Sequence, residues 1–180
     1  MSASMRHGRA AKGHGPEGGI DDIEHLIEHL REFICPSLVI VGIGSELRGD
    51  DAAGVLAARE LAGKVPWAVF DAQTVPESYL MKIVERRPES LVLIDALDFG
   101  GAPGAVELAG ADEITGQGPS THGPAPLAFL EILGMMHPCR CAVLGIQPAS
   151  AELGEQPTAA VQKAVELVVR AFRRLGEEGS

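Results

Sequence analysis

The sequence is short of positive charge. Fifteen Lys and Arg stand against 25 Asp and Glu in 180 residues, giving a formal net charge of −10 and a pI near 5.0. Phosphate backbones are held by clustered Lys and Arg, so this balance argues against a nucleic-acid partner. Long hydrophobic runs are missing too: nothing approaches the roughly 18 consecutive apolar residues of a membrane span. The N-terminal stretch of Gly, Ala, Ser and charge lacks the apolar core of a secretion signal. Cysteine is scarce; the three present cannot all pair, which fits a reducing compartment, and a cytoplasmic location is expected. What is present is an ordinary globular composition, 46% hydrophobic and 22% charged. A chain of this length is expected to form one domain that buries about two-thirds of its unfolded surface.

Residues 1–19 carry no periodic pattern and read as a disordered tail. Over residues 20–36, Ile20, Ile23, Leu26, Ile27, Leu30, Phe33 and Ile34 recur at helical spacing behind Asp21 and Asp22, and Cys35-Pro36 closes the segment. Residues 37–176 then alternate. Leu38–Ile43 and Leu91–Ala96 are continuous apolar runs, as in strands buried on both faces. Trp67–Ala72 and Cys141–Ile146 read as further strands, and Ala105–Ala109 as an edge strand. Helical patterns fall at 51–63, 76–87, 126–136 and 158–175. This order predicts an α/β fold of three layers, α/β/α, around a mostly parallel, twisted sheet of about five strands. Ligands of such sheets bind beyond the carboxyl ends of the strands.

The first strand runs into G-S-E-L-R-G-D-D, residues 44–51. Gly44 and Gly49 have the spacing of a phosphate-binding loop, but Asp50 and Asp51 stand where a Lys and a hydroxyl belong, and two carboxylates repel phosphate. A dinucleotide fingerprint fails as well, because position 47 is Leu rather than Gly. After the third strand come Asp95 and Asp98, after the last Gln147, and a loop before the 126–136 helix carries His122. Two carboxylates from different strand ends with one imidazole suit zinc, nickel or iron, leaving positions open for substrate or water. Asp51 could instead serve only its helix start, as could Asp50, whereas Asp95, directly after an apolar strand, is buried charge in need of a partner.

Two other motifs compete. His25-Leu-Ile-Glu28-His29 matches an inverted zinc-protease signature, but those side chains lie off the apolar stripe and read as a solvent face. His137-Pro-Cys139-Arg-Cys141 reads as a turn entering a strand rather than a metal cluster. No G-x-S-x-G elbow supports serine hydrolysis.

Taken together, V-G-I-G-x-x-L-R-G-D-D, V-P-E-S-Y, D-A-L-D-F-G, S-T-H-x-x-P-L and L-G-I-Q-P-x-x-x-x-x-G, in that order from about Leu38 to Leu175, resemble the hydrogenase maturation protease family. The resemblance implies an endopeptidase that trims the C-terminus of the precursor of a nickel–iron hydrogenase large subunit. It implies nickel carried by that precursor, not held tightly by the protease, as the recognition tag. By the same resemblance Asp51, Asp95 and His122 contact the nickel and are the expected catalytic residues; Asp50, Asp98, Thr121 and Gln147, from the same strand-end loops, are expected in support around them. The metal would position the scissile peptide and polarise its carbonyl or a water; a carboxylate acting as general base, Asp98 among them, is the other route. The family has Asn where this chain has Ser45, and the first 35 or so residues lie outside the resemblance. A monomer is expected. Two rival readings are a nickel-sensing checkpoint protein that binds the precursor without cutting it, and a small-molecule hydrolase with its own metal.

Overall fold

In the computed structural model of the chain, residues 22–111 and 125–179 are described; the expected tail, Ile20, Asp21, Thr121 and His122 lie outside them. The apolar runs form strands β1 (Leu38–Ile43) and β3 (Ser90–Ala96), every residue of both buried. They lie side by side in a five-stranded sheet with β2 (Ala68–Gln73), β4 (Val106–Gly110) and β5 (Arg140–Ile146), in the order β2-β1-β3-β5-β4. β2, β1, β3 and β5 run parallel, and β4 closes the edge antiparallel to β5.

Alternation along the strands sorts the core into two layers. Ile40, Val92, Ile94 and Leu144 face α1 (Ile23–Phe33), α2 (Ala53–Leu61) and α5 (Ala159–Glu178), meeting Leu26, Leu61, Val168 and Phe172. Val39, Val41, Leu93 and Val143 face α3 (Leu80–Glu85) and α4 (Ala125–Met136), meeting Ile83, Phe129 and Leu133. This is the three-layer arrangement that the sequence pattern predicts.

The amphipathic N-terminal segment starts at Ile23, one residue after Asp22, which caps it by accepting from the Glu24 backbone N–H at 3.2 Å. It stops at Phe33, because the residues before Pro36 are pushed to extended backbone. Its stripe of Leu26, Ile27 and Leu30 is fully buried, so the helix belongs to the core although it precedes the region of family resemblance. Exposed pairs Arg31–Glu178 and Glu24–Arg174 line its seam with α5.

Two expected helices are compound. The 51–63 segment opens as a 3-10 turn, Gly49–Ala52, before α2. Pro76–Tyr79 is likewise a 3-10 turn leading into α3.

Glycine sets the distance between α2 and the sheet. A Cβ on Gly42 would lie 2.1 Å from the Gly54 carbonyl oxygen, and a Cβ on Gly54 would lie 2.1 Å from the Ile94 carbonyl and 2.3 Å from that of Ile43. Only hydrogen at both positions lets the helix rest on the backbone of β1 and β3. That contact carries the start of α2, with its two aspartates, onto the carboxyl edge of the sheet.

Candidate active site

Gly44, the first residue after β1, has φ of +136°, and a Cβ there would sit 1.9 Å from the Asp51 carbonyl oxygen. The chain therefore turns tightly enough for the backbone N–H of Ser45 to donate to both the Asp51 carbonyl, at 3.2 Å, and its carboxylate Oδ2, at 3.0 Å. It is the Ser45 backbone that engages Asp51, while the hydroxyl accepts from Leu47 N within its own turn at 3.4 Å. Asp51 is 3% exposed. Its 3-10 turn packs against β3, whose penultimate residue, Asp95, is 1% exposed and lies in register with Gly145 of β5. Two buried carboxylates thus stand at the carboxyl ends of neighbouring central strands.

Asp50 has a different task. It is completely buried, and its carboxylate accepts from the backbone N–H groups of Ala149 (2.7 Å), Ser150 (3.1 Å) and Thr158 (2.6 Å) and from the Thr158 hydroxyl (3.1 Å). Burial pushes its carboxyl up, but these four bonds to the charged form outweigh that and hold it below the ordinary carboxylate range. Its neighbours work toward the same loop. Leu47 accepts from Gly154 N at 2.8 Å, Arg48 donates to the Ala151 carbonyl at 3.4 Å, and a Cβ on Gly49 would lie 3.2 Å from the Ser150 carbonyl. Of L-R-G-D-D, the first four residues clasp the loop after β5, and the last turns back to Ser45.

Gln147, 6% exposed, uses all four hydrogen-bonding positions of its amide. Its oxygen accepts from Phe99 N (3.0 Å) and Gly101 N (3.1 Å); its nitrogen donates to Asp98 Oδ1 (3.1 Å) and the Pro148 carbonyl (3.3 Å). Asp98 also accepts from Gly100 N at 3.1 Å. Gln147 and Asp98 therefore fasten the loop after β3 to the end of β5. Asp50, Asp98 and Gln147 build the rim of this edge through loops on either side of it, while Thr121 and His122 lie outside the described residues.

The rival motifs are elsewhere. On α1, His25 and Glu28 are exposed; His29 is half-exposed, stacks obliquely on His25 with ring centroids 4.3 Å apart, and bonds the His25 carbonyl through Nδ1. His137 donates from Nε2 to the Pro88 carbonyl at 2.9 Å. Cys139 and Cys141 hold their sulfurs 3.6 Å apart; the bond between them pulls the Cys139 thiol down and, with burial, pushes the Cys141 thiol up. Among the described residues no three His, Cys, Asp or Glu side chains gather as a metal site.

The sheet order and flanking helices define a three-layer α/β protein with buried carboxylates at its central carboxyl edge, and the comparisons give it a family. A profile described as hydrogenase maturation protease, HycI, matches residues 55–174, which include Asp95 and His122 and begin just past Asp51. The hydrogenase 3 maturation protease of Escherichia coli K12 is 33% identical over 150 residues, covering 79% of this chain and 91% of its own. The crystal structure of the [NiFe] hydrogenase maturation protease HycI of Thermococcus kodakarensis KOD1 superposes with a TM-score of 0.72 at 31% identity, over 78% of this chain and 92% of that one. HybD, a second [NiFe] hydrogenase maturation protease of Thermococcus kodakarensis, gives 0.66 at 26% identity over 78% and 99%. The chain belongs to the hydrogenase maturation protease family, and it is a hydrolase of the protease class.

Proposed function

We propose that the protein is an endopeptidase that removes the C-terminal extension from the nickel-loaded precursor of a nickel–iron hydrogenase large subunit. The observation that carries this is the delivery of Asp51 and Asp95, both buried, to one edge of the sheet in a chain of this family. Carboxylate oxygens suit a divalent cation. In this reading Asp51 and Asp95, with His122, take hold of the nickel that the substrate carries, so that only a metal-loaded precursor is seated for cleavage. The Ser45 N–H fixes one Asp51 oxygen and so holds the carboxylate in place. The nickel then polarises the scissile carbonyl or the attacking water. The family assignment favours cutting over a checkpoint that only binds.

No described helix is long and apolar enough to cross a membrane. Free Cys35, Cys139 and Cys141 support action in a reducing cytoplasm, and the reading takes the protease to act as a monomer. The test is incubation with nickel-loaded and nickel-free precursor, followed by intact mass spectrometry. Loss of a C-terminal peptide from the loaded precursor alone is expected. Equal cleavage of both would remove the nickel tag from the reading, and binding without cleavage would restore the checkpoint.

A further inference from the structure

The opposite end of the sheet holds a second arrangement of ligating groups. Cys139 precedes β5 and Cys141 is its second residue, so the two are i and i+2 at the start of an extended strand and project to the same side. Arg140 between them goes the other way: its guanidinium lies 4.8 Å from the Phe33 ring and donates to the Glu32 carbonyl at 3.4 Å. Both thiols are half-buried and line an open cavity of about 840 Å³, together with Leu127, Leu130, Glu131 and Gly134 of α4. The access that a hydrated ion needs is therefore present.

The spacing of the sulfurs discriminates between two fates. They are 3.6 Å apart. Two thiolates bound at about 2.3 Å to a tetrahedral ion stand roughly 3.8 Å apart, so the observed separation is already that of a chelating pair. A disulfide needs about 2.05 Å and Cα atoms no more than about 6.8 Å apart, and two residues of extended chain span roughly 6.6 Å or more, at the limit of that reach. The pair as it stands is therefore at a cation's bite and not in a covalent bond. Thiolate pairs select soft, thiophilic ions over magnesium or calcium. Glu32, Glu131 and Arg140 line the same cavity, so its charged lining carries two carboxylates against one guanidinium.

We infer that Cys139 and Cys141 form a two-thiolate site for a zinc-class thiophilic cation. It is separate from the carboxyl edge: Cys141 pairs with Leu91, whereas Asp95 pairs with Gly145 four residues further along β5, about 13 Å away. An ion here leaves Asp51 and Asp95 untouched. Two protein ligands leave the other coordination positions to solvent. Binding deprotonates both thiols and so strengthens as pH rises.

Cadmium ion is the probe, because its thiolate complexes absorb in the ultraviolet. Titration of the full chain is expected to give a charge-transfer band that saturates at one equivalent. C139S and C141S should each weaken binding at least about tenfold, the size of effect seen when metal-site partners are removed, and C35S should leave it unchanged. Because a serine variant can misfold, the wild-type protein is also alkylated with and without cadmium and its cysteines mapped by mass spectrometry; Cys139 and Cys141 should be protected and Cys35 modified. No band in the wild type, a band that survives both C139S and C141S, or equal alkylation of all three thiols would each overturn the site.

Discussion

Replacing Gly54 by Ala adds one methyl group, and the structure says where it goes. The new Cβ would meet the Ile94 carbonyl oxygen at 2.1 Å, the Ile43 carbonyl oxygen at 2.3 Å and the Ile43 nitrogen at 2.9 Å. All three are backbone atoms of central strands, so no side chain can rotate away, and α2 must move outward by about 1 Å. Overpacking a tight core costs roughly 1–3 kcal/mol, and immovable neighbours put this change at the upper end. Alanine recovers about 1 kcal/mol over glycine inside a helix. A net loss of about 2 kcal/mol is expected, or roughly 4–8 °C in Tm for a chain of this size. Gly134 in α4 is the control: a Cβ there meets nothing within 4 Å, so G134A should gain about 1 kcal/mol by propensity alone. Urea denaturation of G54A, G134A and the parent measures both. Equal midpoints for G54A and the parent would refute the claim that contact between these backbones seats α2. The displaced turn should also reduce processing in G54A at temperatures where it remains folded, because Asp51 rides on it.

Asp51→Ala, Asp95→Ala and His122→Ala should each keep a native circular dichroism spectrum and lower precursor processing by at least about 100-fold, whereas replacing His25 and His29 should leave it unchanged; normal rates in the first three would dismiss the assignment. Asp50→Asn should cost about 1.5–3 kcal/mol through weakened bonds to a charged acceptor, read as a lower urea midpoint at pH 7. Its pH dependence has a definite sign. Because the folded carboxyl is held below its ordinary value, its contribution is fully present above the unfolded value of about 3.9 and is lost as pH falls through the lower folded value. The stability gap between parent and D50N should therefore narrow below about pH 4, and a gap that widens there would contradict the hydrogen-bonded, ionised Asp50.

The centre of the sheet was legible because β1 and β3 are continuous apolar runs, the pattern of strands buried on both faces. Asp95 was legible for the related reason that a carboxylate ending such a run is carried into the interior. The tasks of Asp50 and Gln147 were not. Asp50 is bound by residues about 100 positions away, and Gln147 by residues 46 to 49 positions away. Local pattern carries no sign of partners so distant. Thr158, read from the sequence as the first residue of the last helix, is its cap instead, and its bond to Asp50 is invisible in sequence. Gly54 carries no signal in the sequence, because a glycine in a helical stretch reads as a weak spot and its reason lies in a backbone it touches across the fold.

Adjacent carboxylates in one turn would ordinarily repel, and the reason these two coexist is geometric. In a 3-10 turn successive side chains point about a third of a turn apart, so Asp50 and Asp51 leave the same backbone in divergent directions. Asp50 enters the loop after β5, where its charge is met by three backbone N–H groups and a hydroxyl. Asp51 turns to the loop after β1, where the Ser45 N–H meets one oxygen. The first aspartate is spent on holding the turn still, and the bonds that lower its pKa favour the ionised form that accepts them. The second is thereby carried on a fixed base, in a turn packed against the strand that holds Asp95. In the function proposed above, a carboxylate pair in sequence thus becomes one anchor and one nickel contact, and the rigidity of the second depends on the ionisation of the first.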